Sequence, residues 1–82
     1  MGVKVPTIDI KATGENIKRL MKQNHYTISS LQVELRMANS TLIYCWTRGE
    51  RLPNANHLLQ LARVFGCHID DILVEEGDFE EE

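Results

Sequence analysis

The 82-residue sequence contains little cysteine, little proline and no long apolar run. Its two cysteines, Cys45 and Cys67, are too few for a disulfide framework and too far apart for a CxxC redox pair. No stretch approaches the roughly 20 apolar residues that cross a bilayer, and none has the apolar core of a signal peptide. These absences exclude a disulfide-rich scaffold and a transmembrane segment, and they predict a reduced, cytoplasmic protein.

Motifs for catalysis and metal binding are also missing. The sequence has no Gly-rich phosphate loop, no HExxH motif and no nucleophile with a base placed beside it. Cys45, His57, Cys67 and His68 match no zinc-ligand spacing, and the adjacent Cys67 and His68 are poorly placed to bind one tetrahedral ion. We therefore expect no catalytic activity, no cofactor and no metal.

The charges are distributed unevenly along the chain. Nine Lys and Arg against twelve Asp and Glu give a net charge of −3, which taken alone argues against a nucleic-acid partner. Six of the acids fall in residues 75–82, which hold no base, so this segment carries −6 and residues 1–74 carry 9 − 6 = +3. Such a block of like charge cannot form a core, so we predict a disordered acidic tail at residues 75–82 behind a mildly basic body.

The remaining composition is that of one small globular domain, with 43% hydrophobic and 26% charged residues. Residues 1–12 alternate apolar and polar side chains around Pro6, which predicts an extended arm or a short edge strand. From residue 13 the apolar spacing becomes helical. The pattern predicts an all-α body of about five short helices.

Each predicted helix has a start or stop signal. Thr13 is a cap candidate for a first helix over residues 14–23, and Thr27 caps a second helix that leads into a turn at residues 36–38. Asn39 or Ser40 caps a third helix, which Gly49 follows. Asn54 caps the fourth helix and Gly66 ends it. His68 caps a short fifth helix that reaches residue 73. The inward-facing set comprises Ile17, Leu20, Met21, Ile28, Leu31, Leu35, Ile43, Trp46, Leu58, Leu61, Ala62 and Phe65.

The second and third helices with their tight turn form a helix-turn-helix unit. Several landmarks follow at set distances, namely Thr27 with Leu31 and Leu35, Ile43-x-x-Trp46-x-x-Gly49, Arg51-Leu52-Pro53, Leu58-x-x-Leu61-Ala62, Gly66 and Ile69-x-x-Ile72-Leu73. With these landmarks the sequence resembles the phage-repressor (Xre/Cro-like) helix-turn-helix family over about residues 13–74. The resemblance implies a compact five-helix bundle whose second and third helices dock on duplex DNA. Together with the predicted arm and tail, this gives domain boundaries at 1–12, 13–74 and 75–82.

The resemblance also implies a set of site residues, with a recognition helix at about residues 39–48 in the major groove. Candidates for base contacts are Asn39, Ser40, Thr41, Tyr44 and Cys45. Candidates for DNA backbone contacts are Thr27, Arg48, Arg51, Lys18 and Lys22. The chain departs from the family pattern at Ile28, at Gln32 and at the turn glycine near residues 36–37, and its turn is one residue longer. The recognition helix lacks the Arg and Gln side chains that bind guanine and adenine bidentately, so we expect few direct contacts with base edges.

These features predict a sequence-specific double-stranded DNA-binding protein, acting as a bacterial or mobile-element transcriptional regulator. Because one such domain buries only about 600–1,000 Å² on DNA, we expect a homodimer on a palindromic site. Its dimer surface would come from helices four and five or from pairing of the N-terminal arms. The alternative is an antitoxin or another protein-binding adaptor with the same fold, whose partner is a toxin or a polymerase.

Overall fold

A computed structural model describes residues 5–77, and these fold into five α-helices. The helices are α1 (Ile10–Gln23), α2 (Ile28–Glu34), α3 (Thr41–Thr47), α4 (Ala55–Phe65) and α5 (Ile69–Ile72). The all-α, five-helix prediction is therefore confirmed. Residues 1–4 of the predicted arm and residues 78–82 of the predicted tail lie outside the described residues. None of the five helices has the length and apolarity that crossing a membrane requires.

The first helix begins earlier than the sequence predicts, and Thr13 is not its cap. Asp9 is the N-cap, and its carboxylate accepts a hydrogen bond of 2.9 Å from the backbone N–H of Ala12. Thr13 lies inside α1 and is buried, and its hydroxyl accepts a 2.9 Å hydrogen bond from the N–H of Val74. Aspartate and threonine are both good N-caps, so the choice was decided by the long-range partner that Thr13 finds after α5.

The segment before α1 pairs with the segment after α5. Ile8 and Glu75 form an isolated antiparallel bridge. On either side of it, the N–H of Asp9 donates to the Val74 carbonyl at 2.7 Å and the N–H of Glu76 donates to the Thr7 carbonyl at 2.8 Å. The two ends of the described chain are thus held together beside the first turn of α1.

Helices α2 and α4 start at the residues that the sequence predicts. The Thr27 hydroxyl accepts from the Ser30 N–H at 3.1 Å, and the Ser30 hydroxyl accepts from the Thr27 N–H at 2.9 Å, which forms a capping box. The Asn54 side chain accepts from the His57 N–H at 2.8 Å. Gly66 ends α4 with φ of +66°, the left-handed conformation that glycine adopts most easily.

The fifth helix also begins at its predicted cap. The Asp71 carboxylate accepts a 2.9 Å hydrogen bond from the backbone N–H of His68, as the third helical residue does in a capping box. The helix ends at Ile72, and Leu73 already has extended backbone. The Asp9 N–H donates to the Val74 carbonyl, so the chain passes into extended pairing at this point and adds no further helical residue.

The predicted core is almost entirely confirmed. Trp46 is 1% exposed, and ten of the twelve predicted side chains are buried. Ile28 and Leu58 are the exceptions, since both are only half-buried and pack against the edge of the core. Ile72 of α5 completes the cluster, in which the buried apolar residues are Ile17, Leu20, Met21, Leu31, Leu35, Ile43, Trp46, Leu61, Ala62, Phe65 and Ile72.

Helix α1 crosses the end of α3 at Gly14. A Cβ atom on Gly14 would lie closer than 3.0 Å to the Trp46 carbonyl oxygen and 3.1 Å from the backbone nitrogen of Gly49. Gly49 in turn has φ of +75°, and a Cβ there would lie 2.9 Å from the Cα of Lys11. The two glycines therefore allow the backbones of α1 and α3 to approach closely, which places α1 beside the predicted recognition helix.

Candidate nucleic-acid interface

Two departures from the family pattern, Gln32 of α2 and the replaced turn glycine, meet at the turn between α2 and α3. Arg36 adopts φ of +57°, the left-handed conformation that glycine adopts most easily. Gln32 donates from its side-chain nitrogen to the Met37 carbonyl at 3.3 Å, and the backbone carbonyl of Gln32 accepts the Met37 N–H at 3.1 Å. The Gln32 side chain thereby links α2 to the turn, a contact that the alanine common in the family could not make.

At the start of α3, the residue in the N-cap position is not the one whose side chain binds the first backbone N–H. Ser40 is at the N-cap position, but its side chain makes no capping hydrogen bond. The Asn39 side-chain oxygen instead accepts from the Thr41 N–H at 3.0 Å. Asn39 and Thr41 are exposed and Ser40 is half-buried. The amide nitrogen of Asn39 and the hydroxyl of Thr41 are therefore available to a ligand at this end of the helix.

One face of α3 is exposed along its whole length. Thr41, Tyr44 and Arg48 follow one another at spacings of three and four residues, which places them in a row. Tyr44 is 43% exposed, and the Arg48 guanidinium lies 5.4 Å from the centre of its ring. Such a cation–π contact orients the guanidinium. Cys45 lies at the edge of this row, half-buried, with its carbonyl accepting the Glu50 N–H at 2.9 Å.

A shallow depression of about 490 Å³ brings four of the predicted site residues together. Lys18 and Lys22 from α1, Thr27 before α2 and Tyr44 from α3 all line it. Both lysines are exposed, although Lys18 forms a surface ion pair with Glu15 at 3.5 Å. The other lining residues are Met21, Tyr26, Ile28 and Thr47. The surface thus combines the charges of Lys18 and Lys22 with the hydroxyls of Thr27 and Tyr44, a chemistry suited to a sugar-phosphate backbone.

The remaining predicted site residues do not join this depression. Arg51 is exposed in the loop after α3, where its backbone N–H donates to the Cys45 carbonyl at 3.4 Å. Asn39 and Ser40 lie at the opposite end of α3 from Arg48. The candidates therefore fall into three groups: the residues of the depression, those at the start of α3, and the two arginines that follow α3.

Arg19 does not share the surface of Lys18 and Lys22. It is adjacent to Lys18, but its guanidinium donates to the Asn16 side-chain oxygen at 2.6 and 3.0 Å. Asn16 in turn donates to the carbonyls of Asp71 and Ile72, so Arg19 faces α5 and not the depression. The helical spacing of Lys18, Met21 and Lys22 was the better guide, because residues at i, i+3 and i+4 share one face.

The fold alters the acidity of the Cys67 thiol. Burial raises the pKa of Cys67, and the nearby carboxylate of Asp71 raises it further. Both effects disfavour the thiolate. Between residues 5 and 77, no three His, Cys, Asp or Glu side chains are grouped so that they could hold a metal ion.

The bundle and its exposed third helix define the class of this protein, a helix-turn-helix DNA-binding domain. A model of the Cro/C1-type HTH DNA-binding domain matches residues 16–78. The chain belongs to this family. The resemblance in the sequence is thereby confirmed, and the family's function is DNA binding in transcription regulation.

Similar solved structures agree with this assignment. The restriction-modification controller protein C.AhdI from Aeromonas hydrophila has a TM-score of 0.70 and 16% identity, over 78% of this chain and 96% of its own. The DNA-binding domain of BldD has a TM-score of 0.68 and 16% identity, over 80% of this chain and 94% of its own. The S. venezulae BldD domain gives the same score and identity, with 80% and 97% covered. At such identities the likeness establishes the fold, and no curated protein sequence matches the chain.

Proposed function

We propose that this protein binds double-stranded DNA in a sequence-specific manner, as a transcriptional regulator of bacterial or mobile-element origin. Helix α3, with residues 39–48, would lie in the major groove. The observation that carries this proposal is the exposed row of Thr41, Tyr44 and Arg48 beside the lysines of α1. A duplex that receives α3 in its groove would bring its phosphates to Lys18 and Lys22.

Base readout would be concentrated near the start of α3. Asn39 and Thr41 are exposed there, whereas Ser40 and Cys45 are half-buried and would reach bases only at close approach. Thr41 and Tyr44 offer single hydroxyls, which distinguish bases less strictly than the bidentate side chains. Part of the specificity would therefore come from the shape and deformability of the site.

Binding-site selection from random duplexes is the direct test of sequence specificity. We expect a palindromic motif, and Thr41→Ala should change the selected bases more than the overall affinity. Tyr44→Phe is a matched variant that removes one hydroxyl and keeps the ring over which Arg48 lies. If selection by the native chain enriches no motif, sequence-specific binding is wrong.

The contacts with the DNA backbone would come from Thr27, Lys18, Lys22, Arg48 and Arg51. Replacing Arg48 and Arg51 together by alanine should weaken binding to every sequence and lower the salt slope by about 0.9 per lost phosphate contact. Replacing Arg19 and Arg36 together by alanine is the charge-matched control, because both side chains are exposed and neither is a candidate DNA contact. Equal losses in this control and in the Arg48 and Arg51 variant would show that overall charge, not position, determines the affinity.

A homodimer would supply the second half-site, and α4 carries its most suitable surface. Leu59 is 48% exposed on α4 and borders depressions on both sides of that helix. The arm is less suitable, because residues 7–9 already pair with residues 74–76 of their own chain. We expect Leu59→Asp to lower the dimer fraction in sedimentation and to remove cooperative binding to the palindrome.

A protein-binding role is the second candidate, favoured by one exposed apolar side chain on the helix-turn-helix unit itself. Val33 of α2 is 75% exposed, outside the row on α3. An antitoxin or an adaptor for polymerase would use such a side chain against its partner. A purified complex whose dissociation follows Val33→Asp, with no enriched DNA motif, would support this candidate over the regulator.

A further inference from the structure

Half of the acidic residues lie together after the last helix. Six of the twelve are in residues 75–82. The first two of these acids are held in place, since Glu75 pairs with Ile8 and the Glu76 N–H donates to the Thr7 carbonyl at 2.8 Å. Glu75 and Glu76 therefore lie beside the start of α1.

That end of α1 is in contact with the loop that follows the recognition helix. A Cβ on Gly49 would lie 2.9 Å from the Lys11 Cα, so the backbones meet there. Three exposed cations surround this contact, Lys11 on α1 and Arg48 and Arg51 on either side of Gly49. We refer to Lys11, Arg48 and Arg51 as the basic end.

We propose that residues 78–82 dock on the basic end and compete there with the phosphates of DNA. The charges are complementary, because this segment carries Asp78, Glu80, Glu81 and Glu82 and no base. At the basic end, the Arg48 guanidinium forms an ion pair with the Glu50 carboxylate. The distance is 3.9 Å, and both side chains are more than half exposed. A pair this exposed contributes little, so Arg48 remains open to a second anion.

The chain is also long enough for this contact. Lys11 is at most about 11 Å from Ile8 along the backbone, and Ile8 is paired with Glu75. Five extended residues span at most about 17 Å, to which the long side chains of glutamate, lysine and arginine add further reach. The proposal rests on the proposed function in one respect, namely that DNA phosphates use Arg48 and Arg51.

The test compares the full chain with a variant of equal length in which the segment is neutral, with Asp78→Asn and with Glu80, Glu81 and Glu82 each replaced by Gln. Binding to a duplex of random sequence should tighten about three- to tenfold in 50 mM salt, since a few surface pairs are released. In 300 mM salt the gain should largely vanish because screening shortens the reach of these charges. Equal affinities in 50 mM salt would overturn the proposal.

A charge-matched control separates docking from a general change in net charge. The double variant Glu81→Gln and Glu82→Gln is compared with Glu34→Gln and Asp70→Asn, which removes two exposed acids from α2 and α5. We expect only the tail variant to tighten binding more than twofold. If both double variants tighten binding equally, the segment acts through net charge and the docking proposal fails.

A measurement without DNA keeps this proposal distinct from the proposed function. In low salt, the amide NMR signals of Lys11, Arg48, Gly49 and Arg51 should differ between the full chain and the neutral variant, and the difference should disappear in high salt. Absence of that difference would overturn the docking even if DNA binds. If these signals shift but neither protein binds any duplex, the docking stands and the DNA-binding function fails.

Discussion

The close approach of α1 and α3 can be tested by adding a single methyl group at Gly14. The Cβ of Gly14→Ala would overlap the Trp46 carbonyl oxygen and lie 3.2 Å from that of Thr47. These are backbone atoms, so no side chain can rotate away, and the helices must separate. Overpacking of this kind costs up to about 3 kcal/mol, whereas alanine gains about 1 kcal/mol of helix propensity over glycine. We therefore expect a net loss of about 2 kcal/mol.

Thermal unfolding followed by circular dichroism is a suitable assay for Gly14→Ala. In a domain of this size a loss of about 2 kcal/mol lowers Tm by about 8–16 °C. Glu15→Ala is the control, because this neighbouring residue on α1 is exposed and loses only its surface pair with Lys18. A Gly14→Ala protein as stable as the native chain would refute the reasoning, since helix propensity would then outweigh the contact.

Three further predictions concern the turn, a helix cap and a thiol. Arg36→Gly should raise the free energy of unfolding by about 0.5–1 kcal/mol in urea titrations, because glycine relieves the left-handed backbone at φ of +57°; a loss of stability would mean that the arginine side chain contributes more than the strain. Asn54→Ala should cost about 1 kcal/mol in the same titration through loss of the cap on α4, with Asn54→Asp retaining it. In a Cys45→Ser background, burial and Asp71 raise the pKa of Cys67 above its usual range, so less thiolate is present at pH 8. Alkylation at that pH should be slower than for a free cysteine and faster after Asp71→Asn, and a rate unaffected by Asp71→Asn would contradict the electrostatic part.

Local signals in the sequence predicted features that depend on a few neighbouring residues. Thr27 and Asn54 start their helices because each side chain reaches a backbone N–H three residues later. Gly66 ends α4 because its missing Cβ permits the left-handed turn. The buried position of Trp46 followed from helical spacing in the same way. Both partners of such a capping bond lie within one helical turn, so a few neighbouring residues of the sequence are enough to predict it.

The prediction of α1 failed where the deciding partner was distant. Thr13 is a reasonable cap by itself, but its hydroxyl accepts the N–H of Val74, 61 residues away, and Asp9 caps the helix instead. Arg19 points away from Lys18 and Lys22 for a similar reason. Asn16 donates to a carbonyl of α5, and its side-chain oxygen accepts from the Arg19 guanidinium. Composition and spacing contain no information on which of several adequate partners a side chain will meet.

The sequence by itself determined the class of this protein, since the order of caps, apolar spacings and family landmarks specifies five short helices with a helix-turn-helix unit among them. It also determined that the acids are separated from the basic body. Only the tertiary structure decided that Lys18, Lys22, Thr27 and Tyr44 share one surface. The same holds for the position of Glu75 and Glu76 beside the start of α1. The physical reason is that helix formation is local, whereas the crossing of α1 over α3 depends on backbone contact at Gly14, which the sequence records only as the absence of a side chain.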